Sequence, residues 1–179
     1  MSTKLPRLAV LCATAAAAAA TLPATAAAAG CANANADPNT ISLKAARKAT
    51  LCLLNQQRRA HGLRPFRDNR DLNRASQRHA RDMARNHYFA HGNFVQRIQA
   101  AHYLRGIRAW TVGENIAWGD YSYATPASIV DAWMHSPPHR ENILNPSFHE
   151  IGVGVARGAP VSGLADGATY ATDFGDRHF

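Results

Sequence analysis

A change of hydrophobic period near residue 150 constrains this chain more than any other feature. Downstream, Ile151, Val153 and Val155 alternate with Gly152, Gly154 and Ala156, and Tyr170 to Phe174 alternates again, as two strands do. Upstream, the apolar residues recur at helical spacing. Ser42 can cap a helix reaching about Ala60, with Leu43, Ala46, Thr50, Leu53 and Leu54 on one face and His61-Gly62 at its end. Asp68 or Asn69 caps a second helix from about Asp71 to Asn86, whose inner face carries Leu72, Ala75, Ser76, His79, Met83 and Asn86. A short helix is expected over Asn93–Tyr103. Another opens at Thr125-Pro126, buries Ile129, Val130 and Trp133, and stops at Pro137-Pro138. Helices first and strands last predict an α+β sandwich with an antiparallel sheet.

The front end reads as an export signal. Lys4 and Arg7 precede an apolar, alanine-rich run, and Ala24-Thr25-Ala26 fits a cleavage site, so residues 1–26 are assigned as a signal peptide. Residues 27–41 form an irregular lead-in, and residues 42–179 form one domain with a real core. Removing Lys4 and Arg7 takes the formal charge from +8 to +6. A basic secreted chain favours anionic partners, although charge of this size also serves solubility alone. Arg70, Arg74, Arg78, Arg81 and Arg85 gather on one side of the second helix, as a grip for polyanions or as a solvated face. Cys31 and Cys52 remain after cleavage and predict a disulfide. The alternative is a lipoprotein anchored through Cys31, because Ala28-Ala29-Gly30 places small residues before it.

The chemistry concentrates in three segments: Phe89-Ala90-His91, Gly113-Glu114-Asn115-Ile116 and the run from Trp133 to Leu144. His91, Glu114 and His139 make a convergent polar cluster, and two imidazoles with a carboxylate suit both a metal site and acid–base work. His149-Glu150 begins a zinc-protease motif, but Val153 stands where its second histidine belongs. Ser136 and His139 lie three residues apart; the double proline between them argues against one shared helix face, and no nucleophile elbow surrounds the serine. Against every ligand reading stands a structural one. Glu114 can brace a loop, Asn115 and Asn142 can satisfy backbone groups, and His79 can be a hydrogen-bonded core residue.

These segments, with Leu53-Leu54-Asn55-Gln56-Gln57-Arg58 and Glu150-Ile151-Gly152-Val153-Gly154-Val155-Ala156, resemble the bacterial branch of the CAP superfamily. That superfamily groups cysteine-rich secretory, antigen 5 and pathogenesis-related 1 proteins, also called SCP-like extracellular proteins. The resemblance spans about residues 50–175. It implies a three-layer α-β-α sandwich and a cleft lined by two histidines and two glutamates. By motif, His91, Glu114 and His139 match three of the four, and Ser136 stands in place of the fourth.

The expected function is therefore that of a secreted, non-enzymatic binding module. Its cleft, formed by His91, Glu114, Ser136, His139 and Asn142, takes a small ligand, a lipid or a divalent metal such as zinc held by His91, Glu114 and His139. Trp110, Trp118 and Trp133 are expected to give the cleft an aromatic neighbourhood. The alternative is a cell-wall or peptide hydrolase using Glu114 and His139. The expected partner is an extracellular or cell-envelope component, a lipid or an anionic polymer, with no specific nucleic acid, and the chain is expected to act as a monomer.

Overall fold

The computed structural model describes residues 30–164 and 166–178. The expected export signal, residues 1–26, lies outside the described residues. In chain order the elements are α1 (Leu43–Ala60), β1 (Arg67–Asp68), α2 (Arg70–Asn86), α3 (Phe94–Ala100), β2 (Ala109–Asp120), a 3₁₀ turn (Tyr121–Ala124), α4 (Pro126–His135), α5 (Pro137–Leu144), β3 (Glu150–Arg157) and β4 (Gly167–His178). The sheet order is β1-β3-β4-β2. The three long strands are antiparallel, and the two-residue β1 adds a parallel pair to β3. The sheet is thus mixed at one edge rather than antiparallel throughout.

Helix starts follow their caps. Ser42 accepts from Ala45 N, Asn69 from Asp71 N and Leu72 N, and Thr125 from Ser128 N. Asn69, not Asp68, is therefore the cap of α2, and Asn86 at its far end is exposed rather than inward. Helix α4 ends at His135, as the double proline predicts, and Ser136 is extended before a second helix begins. Pro137 and Pro138 occupy the first turn of α5, where a missing N–H costs nothing.

Side-chain alternation divides the sheet's faces. Ile151, Val153, Val155, Tyr170 and Phe174 pack with Leu53, Leu54, Ile129, Val130, Trp133 and Ile143, so α1, α4 and α5 cover one face. Ile116, Ala156 and Ala171 pack with Ala80 and Met83, and Val112 packs beside Leu72, Ala75 and Ile98, so α2 and α3 cover the other. The result is the three-layer α-β-α sandwich. The alternating glycines of β3 have a steric cause. A Cβ at Gly152 would lie 2.0 Å from the Leu72 carbonyl carbon, and one at Gly154 2.2 Å from the Ser76 oxygen. Helix α2 lies backbone-against-backbone on β3, and only glycine permits it.

Cys31 and Cys52 form the expected disulfide. A cysteine so bonded has no thiol left to carry a lipid, which removes the lipoprotein alternative. The lead-in is irregular, as expected, yet it is docked: Cys31 and Ala34 belong to the core, and Ala127 N donates to Ala34 O at 2.8 Å. Arg58, from the opening helix, is buried. It donates to the carbonyls of Arg64, Ile143, Asn145 and Phe148, tying down the segment between α5 and β3.

Candidate functional site

Strand β2 is an edge strand, so groups from both helical layers meet around its free side. Glu114 lies on β2, not in a loop. Glycine, asparagine and glutamate are depleted in strands, and only pairing to β4 along all twelve residues holds this segment extended. The Glu114 side chain points toward α2 and α3 and is 0% exposed. Its Oε1 accepts from His91 Nδ1 at 2.8 Å and its Oε2 from Arg97 Nη2 on α3 at 2.5 Å.

His91 reaches this position from the loop after α2. The loop leaves the helix through His87 in the left-handed conformation. It is then pinned by the buried His79, whose Nε2 donates to Ala90 O at 3.1 Å. His79 is therefore the hydrogen-bonded core residue expected of it. Its pKa is pushed down to about 4, first by burial and then by Arg97.

Glu114 also faces Asp173, its cross-strand neighbour on β4, which is fully buried. Asp173 Oδ2 accepts from Ser76 Oγ at 2.7 Å. Its Oδ1 is buried without a hydrogen-bond partner among the described residues, opposite Glu114 across the two strands. Burial, with Glu114 adding repulsion, pushes Asp173 well above the usual carboxylate range. Burial also lifts Glu114 to about 7, against the pull of Arg97. Two carboxyls beside one guanidinium thus keep a proton between them.

From the opposite layer, α5 contributes His139. Its Nδ1 lies 2.9 Å from Ser136 Oγ, so the two do meet across the double proline. Ser136 sits at the N-cap of α5 but makes no cap bond with its side chain, which is given to His139 instead. Asn115 Nδ2 donates to His139 O at 2.9 Å, and Asn142 Nδ2 donates to Asn115 Oδ1 at 2.8 Å and to Glu114 O at 3.3 Å. The two asparagines satisfy backbone groups and lock α5 to β2. Burial lowers the proton affinity of His91 and His139; Arg97 adds to it at the first, His91 at the second. His91 and His139 are thus near enough for the charge of one to act on the other, and burial favours the neutral form of both rings.

Both rings turn Nδ1 inward. Among the described residues neither Nε2 has a hydrogen-bond partner. The His91 side chain is 50% exposed. Its Nδ1 must carry the proton to meet a carboxylate, which leaves Nε2 as an unpaired acceptor on a half-exposed side chain.

The three-ligand metal set does not fit. Both oxygens of Glu114 are committed, and among the described residues no group of three or more His, Cys, Asp or Glu side chains is placed to hold an ion. Glu114 orients His91 instead of standing beside it as a ligand. The aromatic neighbourhood is also only partial. Trp133 is buried and donates from Nε1 to Ile116 O at 3.1 Å. Trp110 is 44% exposed and lies four residues along β2 from Glu114, about 13 Å at strand spacing. It lines a separate cavity with His149, Asp176 and His178.

Arg97 and Asp173 escaped the reading of the sequence. Asp173 has the opposite parity to Tyr170 and Phe174 and so reads as the solvent side of an ordinary strand, whereas α2 covers that face. Arg97 left no signal: its side chain is 23% exposed and meets Glu114, but an arginine in a seven-residue helix carries no sequence sign of a partner on another element.

A family model described as the cysteine-rich secretory protein family, CAP, matches residues 51–171. The Bacillus subtilis protein YkwD is 37% identical over 118 residues, covering 63% of this chain and 43% of its own length. The Bacillus subtilis membrane protein YlbC is 32% identical over 115 residues, covering 62% of this chain and 31% of its own. The chain thus spans less than half the length of either. Among solved structures, an extracellular SCP-domain protein of Bacillus anthracis aligns at a TM-score of 0.56 with 24% identity, over 75% of this chain and 43% of that one. An outer surface protein of Borrelia burgdorferi aligns at 0.63 with 21% identity, over 77% and 97%. At such identities these structures establish the fold alone.

Proposed function

Because the chain belongs to the CAP, or cysteine-rich secretory protein, family, we propose that it works outside the cell as a binding module rather than an enzyme. Its ligand is a small polar molecule, held where His91 and His139 present their Nε2 edges. The observation that carries this reading is the sealing of Glu114: its side chain is 0% exposed, with both oxygens already bonded. A general acid or base must come within hydrogen-bond reach of its substrate. Among the described residues the Glu114 carboxylate bonds His91 and Arg97 and has His79 at 3.9 Å and Asp173 across the strands, so its part is to set the His91 ring and tautomer. The lone pair at His91 Nε2 favours a ligand that offers a hydroxyl or amine donor.

Export is supported by the charged and apolar front end, by the Cys31–Cys52 disulfide, which suits an oxidising compartment, and by the extracellular character of the Bacillus anthracis relative. Among the described residues no helix is long and apolar enough to cross a membrane.

Soluble cell-wall glycans and short peptides test the reading, since both carry such donors. Binding followed by calorimetry, with intact ligand recovered afterwards, is the expected result. His91→Phe abolishes that binding while the fold melts as before. Product formation that disappears in Glu114→Gln would establish the hydrolase instead.

A further inference from the structure

The arginines of α2 do not simply face solvent. Arg70, Arg74, Arg78 and Arg81 line a cavity of about 580 Å³ together with Arg47 of α1. An adjoining cavity of about 230 Å³, lined by Lys44 and Lys48, shares Arg47, Asp68 and Asn73 with it. The two form one groove between α1 and α2, away from the histidine cleft. Among the described residues Asp68 is the only acid lining it, and Asn73 already donates to one of its oxygens at 2.8 Å. Arg74 is occupied by Asp71 and by the Ala101 carbonyl. Arg47, Arg70, Arg78 and Arg81 make no ion pair with any described residue. Arg85 belongs to a different cavity.

Arg47 supplies an independent sign of a missing partner. Its Nε is buried without a hydrogen bond. It feels repulsion from Arg81 as well as attraction from Asp68. Bringing guanidinium groups together over a buried, unsatisfied donor is unfavourable unless an anion joins them.

The floor of the groove narrows the choice of occupant. It follows the outer edge of β3, where an extended peptide would add a strand. Asn73 Oδ1 accepts from Val153 N, and Gln77 bonds both Val155 N and Val155 O. Side-chain amides have taken the place of that strand, so the edge offers a peptide no ladder there. What remains is charge in a concave channel, which suits a single flexible chain better than a flat membrane surface. Phosphate presents several acceptor oxygens per group and so can receive more than one guanidinium at once. We propose that the groove between α1 and α2 binds a linear, phosphate-bearing polyanion, with Arg47 at its centre and Arg70, Arg78 and Arg81 along its wall.

The test uses fluorescence-detected binding of a linear polyphosphate chain to the full protein across a salt series. Two double variants carry equal loss of charge: Arg78→Ala/Arg81→Ala in the groove, and Arg64→Ala/Arg105→Ala outside it. All four residues are exposed, and matched melting temperatures confirm that both variants fold. The groove variant is expected to bind about tenfold or more weakly, with a slope of log K against log salt lower by about two, while the outside variant matches the parent. Equal loss in both variants, or in neither, overturns the site. Groove-dependent binding of anionic phospholipid vesicles without binding of soluble polyphosphate overturns the occupant in favour of a membrane. Equally tight groove-dependent binding of polyglutamate overturns the preference for phosphate.

Discussion

Asp173 and Glu114 face each other across β2 and β4, and their shared proton gives the protein a particular response to pH. An acid whose folded pKa is raised binds more protons in the native state than in the unfolded chain. Its contribution to stability is therefore lost as pH rises from the ordinary value of 4.5 through about 7. His79 acts in the opposite sense. Held down to about 4 from 6.5, it makes the protein more stable as pH rises over that interval. The two slopes oppose each other up to 6.5, and above it the carboxyl slope stands alone. The melting temperature is expected to fall from pH 6.5 to beyond about 7. Asp173→Asn, which keeps a donor toward Glu114 but cannot ionise, makes that fall shallower; a fall as steep as the parent's contradicts the shared proton. His91, Glu114 and His139 were legible at this scale because each sits in a distinctive local run. The groups that decide what Glu114 does, Arg97 and Asp173, are distant in sequence and belong to segments that read as ordinary helix and strand. Burial, not residue type, turned Glu114 from a presumed ligand into a brace.

Among the elements, α2 and β3 carry the closest contact of the fold. A methyl group at residue 154 has nowhere to go, because the atom it meets is helix backbone rather than a movable side chain. Gly154→Ala is expected to lower stability by about 3 kcal/mol or more, read from denaturant unfolding. A loss within about 0.5 kcal/mol, the range of an ordinary surface change, contradicts the packing. The helix starts were legible because Ser42, Asn69 and Thr125 cap them by local chemistry. So was the alternation of β3, though its glycines gain their meaning only from the helix above. Strand β2 was not legible. Gly113, Glu114 and Asn115 weaken its pattern, and their own partners on β4 lie 57 to 61 residues away. The short helix after Ser136 was legible, though the sequence starts it at His139 rather than at Pro137. A double proline reads as a stop, yet at the first two positions of α5 it starts a helix.

In the molecule as a whole, the lead-in, α1 and α4 are held together by the Cys31–Cys52 bond and the Ala127–Ala34 hydrogen bond. The bond joins residues 21 apart, and closing a loop of that size is worth about 3 kcal/mol in the chain-entropy model. Replacing both cysteines by alanine is expected to lower stability by that amount without changing ligand binding, since the histidine cleft lies at the β2 edge. Loss of binding at a temperature where the variant remains folded contradicts this separation. The α+β class was legible from the order of helices and strands, and the three-layer arrangement from the family resemblance alone. The placement of basic residues into a groove was not, since helical spacing puts the arginines on one side of α2 but says nothing of Arg47 coming to meet them.

The account turns on Glu114 being a sealed brace that fixes His91, and the ¹⁵N spectrum of the His91 ring reads this directly. A neutral ring protonated at Nδ1, titrating below the ordinary 6.5 and losing its tautomer preference in Glu114→Gln, is the predicted result. A ring protonated at Nε2 near neutral pH, or one whose titration ignores Glu114→Gln, would contradict it.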